Sequence, residues 1–262
     1  MKNKSFRITG LAVMALALVA VACAPSETAA PVETGADPLA ADGAPAPAAE
    51  LPAEPANPGY CGNAFYPVAE GRFWDYLLTA EETASNMRFT HKDVSQDAFT
   101  LVQTTSDITT EIRWQCGPDG LLSGANASIS IAPIPNMEIE TLEVEGVVIP
   151  AADKWQVGYT WDTNFTVRLT MTLGDSQIEG EGIYVVSSTI AGIEPVSVPA
   201  GSYENAYRVD AVGSYTFTIM DVENTFTSTS SSWFVEGIGM VKNASSEPGM
   251  AGSMELTALG GA

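Results

Sequence analysis

His91 is the single histidine of a 262-residue chain, and nothing around it is spaced to work with it. The stretch Asn86-Met-Arg-Phe-Thr-His91 offers no nucleophile or carboxylate at motif spacing. A lone histidine in a strand reads as a surface or core residue, and one imidazole cannot make the ligand set of a catalytic zinc. There is no G-x-S-x-G elbow and no phosphate-binding loop. Carboxylates are plentiful, with 32 Asp and Glu in the chain. At that density, pairs at glycosidase separation arise by chance. The acids between Met137 and Glu145 offer oxygen ligands for calcium without an EF-hand or a repeated Asp-Gly loop, so a solvated strand face is the better account. Five tryptophans (Trp74, Trp114, Trp155, Trp161, Trp233) admit a sugar-stacking reading. No catalytic residue, metal ligand or cofactor is expected from these patterns, and the chain reads as no enzyme.

The three cysteines divide by position. Residues 1–22 resemble a secretory signal peptide, with Lys2, Lys4 and Arg7 ahead of an apolar run from Ile8 to Ala22. That run is 15 residues, short of the ~20 a spanning helix needs. Ala20-Val21-Ala22-Cys23 then resembles a bacterial lipobox, which implies a lipid on Cys23 and an extracytoplasmic, membrane-anchored protein. An ordinary A-x-A cleavage at the same bond is the rival reading. Residues 23–58 continue as an Ala/Pro-rich linker: positions 24–58 hold 12 Ala, 8 Pro and six acids, with no Lys or Arg. Such a composition is expected to stay disordered and extended, a tether of up to roughly 100 Å. The remaining pair, Cys61 and Cys116, is expected to form a disulfide in an exported domain.

Residues 59–262 are long enough for one domain with a substantial core. They carry 26 of the 32 acids against 8 of the 11 bases, a balance of 8 − 26 = −18. That charge argues against nucleic acid and against electrostatic adhesion to an anionic membrane. Positioning is the work of strands. From Tyr159 to Leu173 the odd residues are apolar at seven of eight places, and every even residue is polar. Period two puts one face in a core and the other in water. Similar alternation covers 98–104, 108–116, 121–132, 137–149, 178–189, 207–219, 224–235 and 253–259. A bulge is expected near Thr141, where the Glu residues change parity, and a bend at Gly213. Thr79 to Met87 admits a short helix or a polar loop. The fold class is therefore all-β: a large curved antiparallel sheet, half-barrel or barrel-like, with few or no helices.

An internal echo accompanies the strands. Gly71-x-x-Trp74-Asp75 returns as Gly158-x-x-Trp161-Asp162, and Trp114-x5-Gly120 returns as Trp233-x5-Gly239. Three further pieces carry a family resemblance: Tyr66-Pro67-x3-Gly71-x2-Trp74-x-Tyr76, then Val196-x-Val198-Pro199-Ala200-Gly201-x-Tyr203, then Trp233-x3-Gly237-Ile238-Gly239-Met240-Val241-Lys242. In these the chain resembles uncharacterised exported lipoproteins and secreted domains, whose fold is similar to the half-barrel of periplasmic lipoprotein carriers. The resemblance implies a fold and no activity.

Two functions stay open. In one, the concave face binds an apolar ligand or lipid through Trp161, Phe165, Val167, Leu169, Met171, Tyr207, Tyr215 and Phe217. In the other, that face is filled core, and the protein is a structural or protein-interaction lipoprotein of the cell envelope. A carbohydrate-binding module is the minor alternative. The expected partners are the membrane, through the N-terminal lipid, with an apolar ligand or an envelope protein, and no nucleic acid.

Overall fold

The alternating stretches become strands. The computed structural model describes residues 59–80, 83–106, 108–124, 137–173, 176–219, 222–247 and 250–261. A short opening pair, β1 (Gly62–Asn63) and β2 (Tyr66–Pro67), precedes β3 (Phe73–Ala80), β4 (Thr83–Lys92), β5 (Ala98–Thr104), β6 (Thr109–Gly117) and β7 (Gly120–Ser123). Next come β8 (Met137–Gly146), β9 (Ile149–Pro150), one 3-10 turn (Ala152–Lys154) and β10 (Thr160–Leu173). The chain closes with β11 (Ser176–Val198), β12 (Gly201–Ile219), β13 (Val222–Val235), β14 (Gly239–Glu247) and β15 (Met250–Gly260). No α-helix occurs among the described residues.

Thirteen strands form one antiparallel sheet in the order β8, β10 to β15, β3 to β7, β9. Ile190 and Val209 of β11 and β12 share a buried cluster with Phe99, Ile112 and Trp114 of β5 and β6. These strands stand far apart in the sheet, so the sheet must curl with this face inward. Its two edges are neighbours in the chain, since only Val147 and Val148 separate β8 from β9. The Thr163 hydroxyl of β10 donates to the Val147 carbonyl at 2.6 Å, and Val148 N–H donates to Leu121 of β7 at 2.8 Å. Thr163 is the one polar residue on the apolar face of β10, and it is used to hold this seam.

The segment that opens the domain plugs the curl. Phe65 is buried and stacks on Trp155 at 4.1 Å, while Tyr207 of β12 meets it edge-on at 4.8 Å. Cys61 and Cys116 are joined, with Cα atoms 5.0 Å apart, so the plug is bonded to β6 as the sequence leads one to expect. The bridge closes a loop of 55 residues. Replacing both cysteines by serine is expected to cost about 4 kcal/mol, chiefly by freeing the unfolded chain. Urea titration checks this: a loss below about 1 kcal/mol would mean the plug holds without its bond.

The echo is a repeat of backbone conformation. Gly71 and Gly158 have φ of 73° and 90°, and Gly120 and Gly239 have φ of 142° and 99°. Gly71 N–H donates to His91 and His91 N–H to Arg72, both at 2.9 Å. Gly158 N–H donates to Ile190 at 2.8 Å and Ile190 N–H to Tyr159 at 3.0 Å in the same pattern. His91 therefore occupies the place that Ile190 holds in the other half. The last strand of each half, β8 or β15, pairs with the first strand of the other, β10 or β3.

Three expectations need correction. Thr79 to Met87 is neither helix nor loop: Ala80 pairs with Thr83 and Leu77 with Asn86 in a hairpin. The other edge of β3 is taken by β15, so ladder bonding on both sides overrides the helix propensity of the Ala-Glu-Glu stretch. Gly213 does not bend β12, which stays in register with both neighbours there. It makes room instead, since a Cβ would lie 3.0 Å from the Tyr184 ring and 2.6 Å from the Ser228 hydroxyl. Ile108 leaves the apolar face of its stretch and is 52% exposed ahead of β6. The bulge expected near Thr141 is present: Thr166 pairs with Glu143 and Val167 with Thr141, leaving Leu142 over. The second half of 121–132 and the linker with Cys23 lie outside the described residues.

Candidate functional site

Alternation along β10 and β12 sends the candidate ligand residues inward, where they divide between two clusters. Trp161 and Tyr207 pack against the plug cluster. Trp161 lies 5.8 Å from Tyr159 in a stack, and its buried indole N–H has no hydrogen-bond partner. Phe165, Val167 and Tyr215 belong to a second cluster with Tyr184. Cross-strand register builds it: Phe165 pairs with Tyr184, Tyr184 with Tyr215 and Tyr215 with Phe226. Their rings stack across four strands at 5.4, 4.0 and 4.5 Å. Such offset stacks contribute about 0.5–1.5 kcal/mol per pair beyond area burial. Phe165 is 0% exposed, which leaves no surface on it for a guest. Phe217 meets Phe226 edge-on at 5.7 Å and, like Leu169, is half-buried. Met171 is placed by its backbone register with Ile178.

The tryptophans are mostly structural. Trp74, Trp114 and Trp155 are buried; Trp74 donates to the Ile238 carbonyl at 2.7 Å and Trp155 to that of Pro150 at 3.2 Å. Trp233 is half-buried on the outer face, where it donates to Glu194 at 2.8 Å beneath the Lys242 ammonium. No tryptophan among them offers an open stacking platform.

His91 is 0% exposed, and neither ring nitrogen has a hydrogen-bond partner. Phe99 and Trp74 flank it at 4.7 and 4.8 Å. Burial, reinforced by the Arg72 guanidinium, lowers its pKa to about 3. It is thus a neutral imidazole in an apolar cage, with no carboxylate to orient it for acid–base work. Arg72 itself is buried, donates to the Gly237 carbonyl at 2.6 Å and lies over Trp74. Tyr66 and Tyr76 are raised in pKa, desolvation being the largest cause for each. Among the described residues no three His, Cys, Asp or Glu side chains converge as a metal site. On β8 the acids point outward, and Glu140 pairs with Arg168 at 2.8 Å.

Sequence reasoning missed the inner side of β13. Phe226, Ser228, Ser230, Ser232 and Phe234 share one parity, hence one face, and the two phenylalanines sit in the two clusters. That signal was available in the alternation, hidden by the serines and threonines on both faces.

No family model and no curated protein matches the chain. Solved structures do. A presumed lipoprotein from Parabacteroides distasonis ATCC 8503 superposes with a TM-score of 0.52 at 14% identity, covering 76% of this chain and 99% of its own. A presumed exported protein with a YmcC-like fold from Bacteroides fragilis NCTC 9343 gives 0.48 at 12% identity, covering 76% and 100%. The hypothetical lipoprotein YmcC of Escherichia coli (K12) gives 0.31 at 12% identity over 72% and 86%. At these identities the likeness speaks for fold, and the Parabacteroides structure is the one that carries it.

Proposed function

We propose that the protein is an exported, non-catalytic β-domain of the cell envelope, anchored by a lipid on Cys23, with its apolar face used up in packing. It would then work through its surface, as a structural or interaction lipoprotein. The observation that carries this reading is the burial of Phe165 at 0% exposure within a four-ring stack. A ligand face must keep its rings free for the ligand, and these are already paired. The lipobox-like residues and the linker supply the anchoring half of the reading. Names of similar structures as lipoproteins and exported proteins agree with it.

A second reading, an apolar ligand on the concave face, draws on Leu169 and Phe217, which stay half-buried beyond the stack. Acyl burial gains ~0.8 kcal/mol per methylene, so even a short groove there would register.

The anchoring half is tested by Cys23→Ser. The variant is expected to leave the membrane pellet for the soluble fraction after a carbonate wash. Retention in the pellet would show that Cys23 is not the anchor.

A further inference from the structure

Between the plug cluster and the aromatic stack, the inner face of the sheet is lined by small residues. In register across six strands stand Ser188 of β11, Ala211 of β12, Ser230 of β13, Ser245 of β14, Gly252 of β15 and Ala80 of β3. Gly213 and Ser228 form the start of the next row toward the stack. Gly213 has a packing reason, the Tyr184 ring; the serines have none. Alternation puts Ser188 on the same face as Ile190 and Tyr184, and Ser230 on the same face as Phe226 and Phe234.

The hydroxyls on this face are what a filled core would not leave. Ser188 is only 7% exposed, yet it has no hydrogen-bond partner among the described residues. Ser228, Ser230 and Ser245, half-buried beside it, have none either. Ser232, one step toward the plug, shows the satisfied alternative, accepting from Asn243 Nδ2 at 2.8 Å. A buried hydroxyl left unpaired costs about 1–3 kcal/mol. Four of them on one inward surface call for a ligand, or water, that can both donate and accept. Half-buried Phe226 borders them two residues along β13, with Phe217 at its edge.

We infer that this serine-lined strip is a binding site for an uncharged oligosaccharide, with ring hydroxyls bonded to Ser188, Ser228, Ser230 and Ser245 and one sugar face laid against Phe226. This goes beyond the envelope-domain reading and does not depend on it. The chemistry decides the ligand class. Hydroxyl side chains match sugar hydroxyls, which donate and accept in turn. An acyl chain would strip water from four hydroxyls and return nothing. The strip carries no ionised group, and the domain's −18 balance repels anionic sugars. From β11 to β14 it spans roughly 14 Å at the usual strand spacing.

Saturation-transfer NMR on the full mature chain carrying Cys23→Ser tests the site with cellotetraose, N-acetylchitotetraose and maltotetraose as probes. At least one is expected to receive saturation, and Ser230→Leu, which fills a half-exposed position, should weaken that signal at least tenfold. The triple change of Ser228, Ser230 and Ser245 to alanine removes the hydroxyls without adding bulk, so it guards against a folding defect in the leucine variant. It should lose the sugar while keeping the far-ultraviolet spectrum and melting transition. No transfer to any of the three sugars would overturn the site, as would unchanged binding in the alanine variant. Tighter binding of cis-parinaric acid by the alanine variant would assign the strip to an acyl chain and overturn it as well.

Discussion

Phe165→Asp is expected to unfold the domain. The ring is 0% exposed, paired in register with Tyr184 and enclosed by Val144, Val148 and Ile139 of the neighbouring cluster. Losing it removes a large buried aromatic, worth about 3–5 kcal/mol when truncated. The carboxylate adds the cost of an unpaired buried charge, several kcal/mol unless it protonates. Domains of this kind hold only about 5–15 kcal/mol in total. Leu169→Asp on the same face should cost far less, about 1 kcal/mol, because Leu169 is half-buried. Urea unfolding followed by tryptophan fluorescence separates the two. If both variants fold like the wild type and differ only in lipid uptake, the face is a ligand site and the filled-core account is wrong.

His91→Ile is expected to stabilise the protein by about 1–3 kcal/mol at neutral pH, the cost of two unpaired ring nitrogens in an apolar cage. Isoleucine is the natural choice because Ile190 fills the equivalent place in the other half. The pH dependence sharpens the test. The folded-state pKa is lowered from 6.5 to about 3, by burial first and the Arg72 charge second. Below about 6.5 the unfolded chain takes up a proton that the folded protein refuses until near 3. Stability is therefore fully present above the unfolded pKa and is lost as pH falls toward the folded one, at up to about 1.4 kcal/mol per pH unit. Carboxylates add their own slope, but equally to both proteins, so the difference isolates His91. The gap between variant and wild type should widen steadily from pH 6.5 to 4. A constant gap would mean that His91 is protonated or hydrogen-bonded in the folded state.

Period two made the fold legible. Seven apolar residues out of eight between Tyr159 and Leu173 placed β10 and its inward face, and the parity change among the Glu residues placed the bulge at Leu142. The longest strand was harder to see. β11 runs 23 residues, but Gly180, Gly182 and Gly192 interrupt its alternation. Gly182 is glycine because the Phe217 Cβ lies where a side chain would start. Glycine demanded by a neighbour across the sheet looks, in sequence, like glycine demanded by a turn, and Gly213 misleads in the same way. The echo was legible as spacing, but only hydrogen bonds show His91 standing in for Ile190. The apolar face of β10 was legible as a face and illegible as packed or open, since that depends on register with Tyr184 and Tyr215. Those two tyrosines lie on other strands.

Whether the interior is filled is the central question, and native mass spectrometry of the mature Cys23→Ser chain answers it most directly. Purified from its own envelope without detergent, the protein should fly at its bare polypeptide mass less two hydrogens for the Cys61–Cys116 bond. A stoichiometric apolar adduct released on collisional activation, such as a fatty acid or phospholipid, would show a cavity where Phe165 and its stack are described as closed, and would contradict the account.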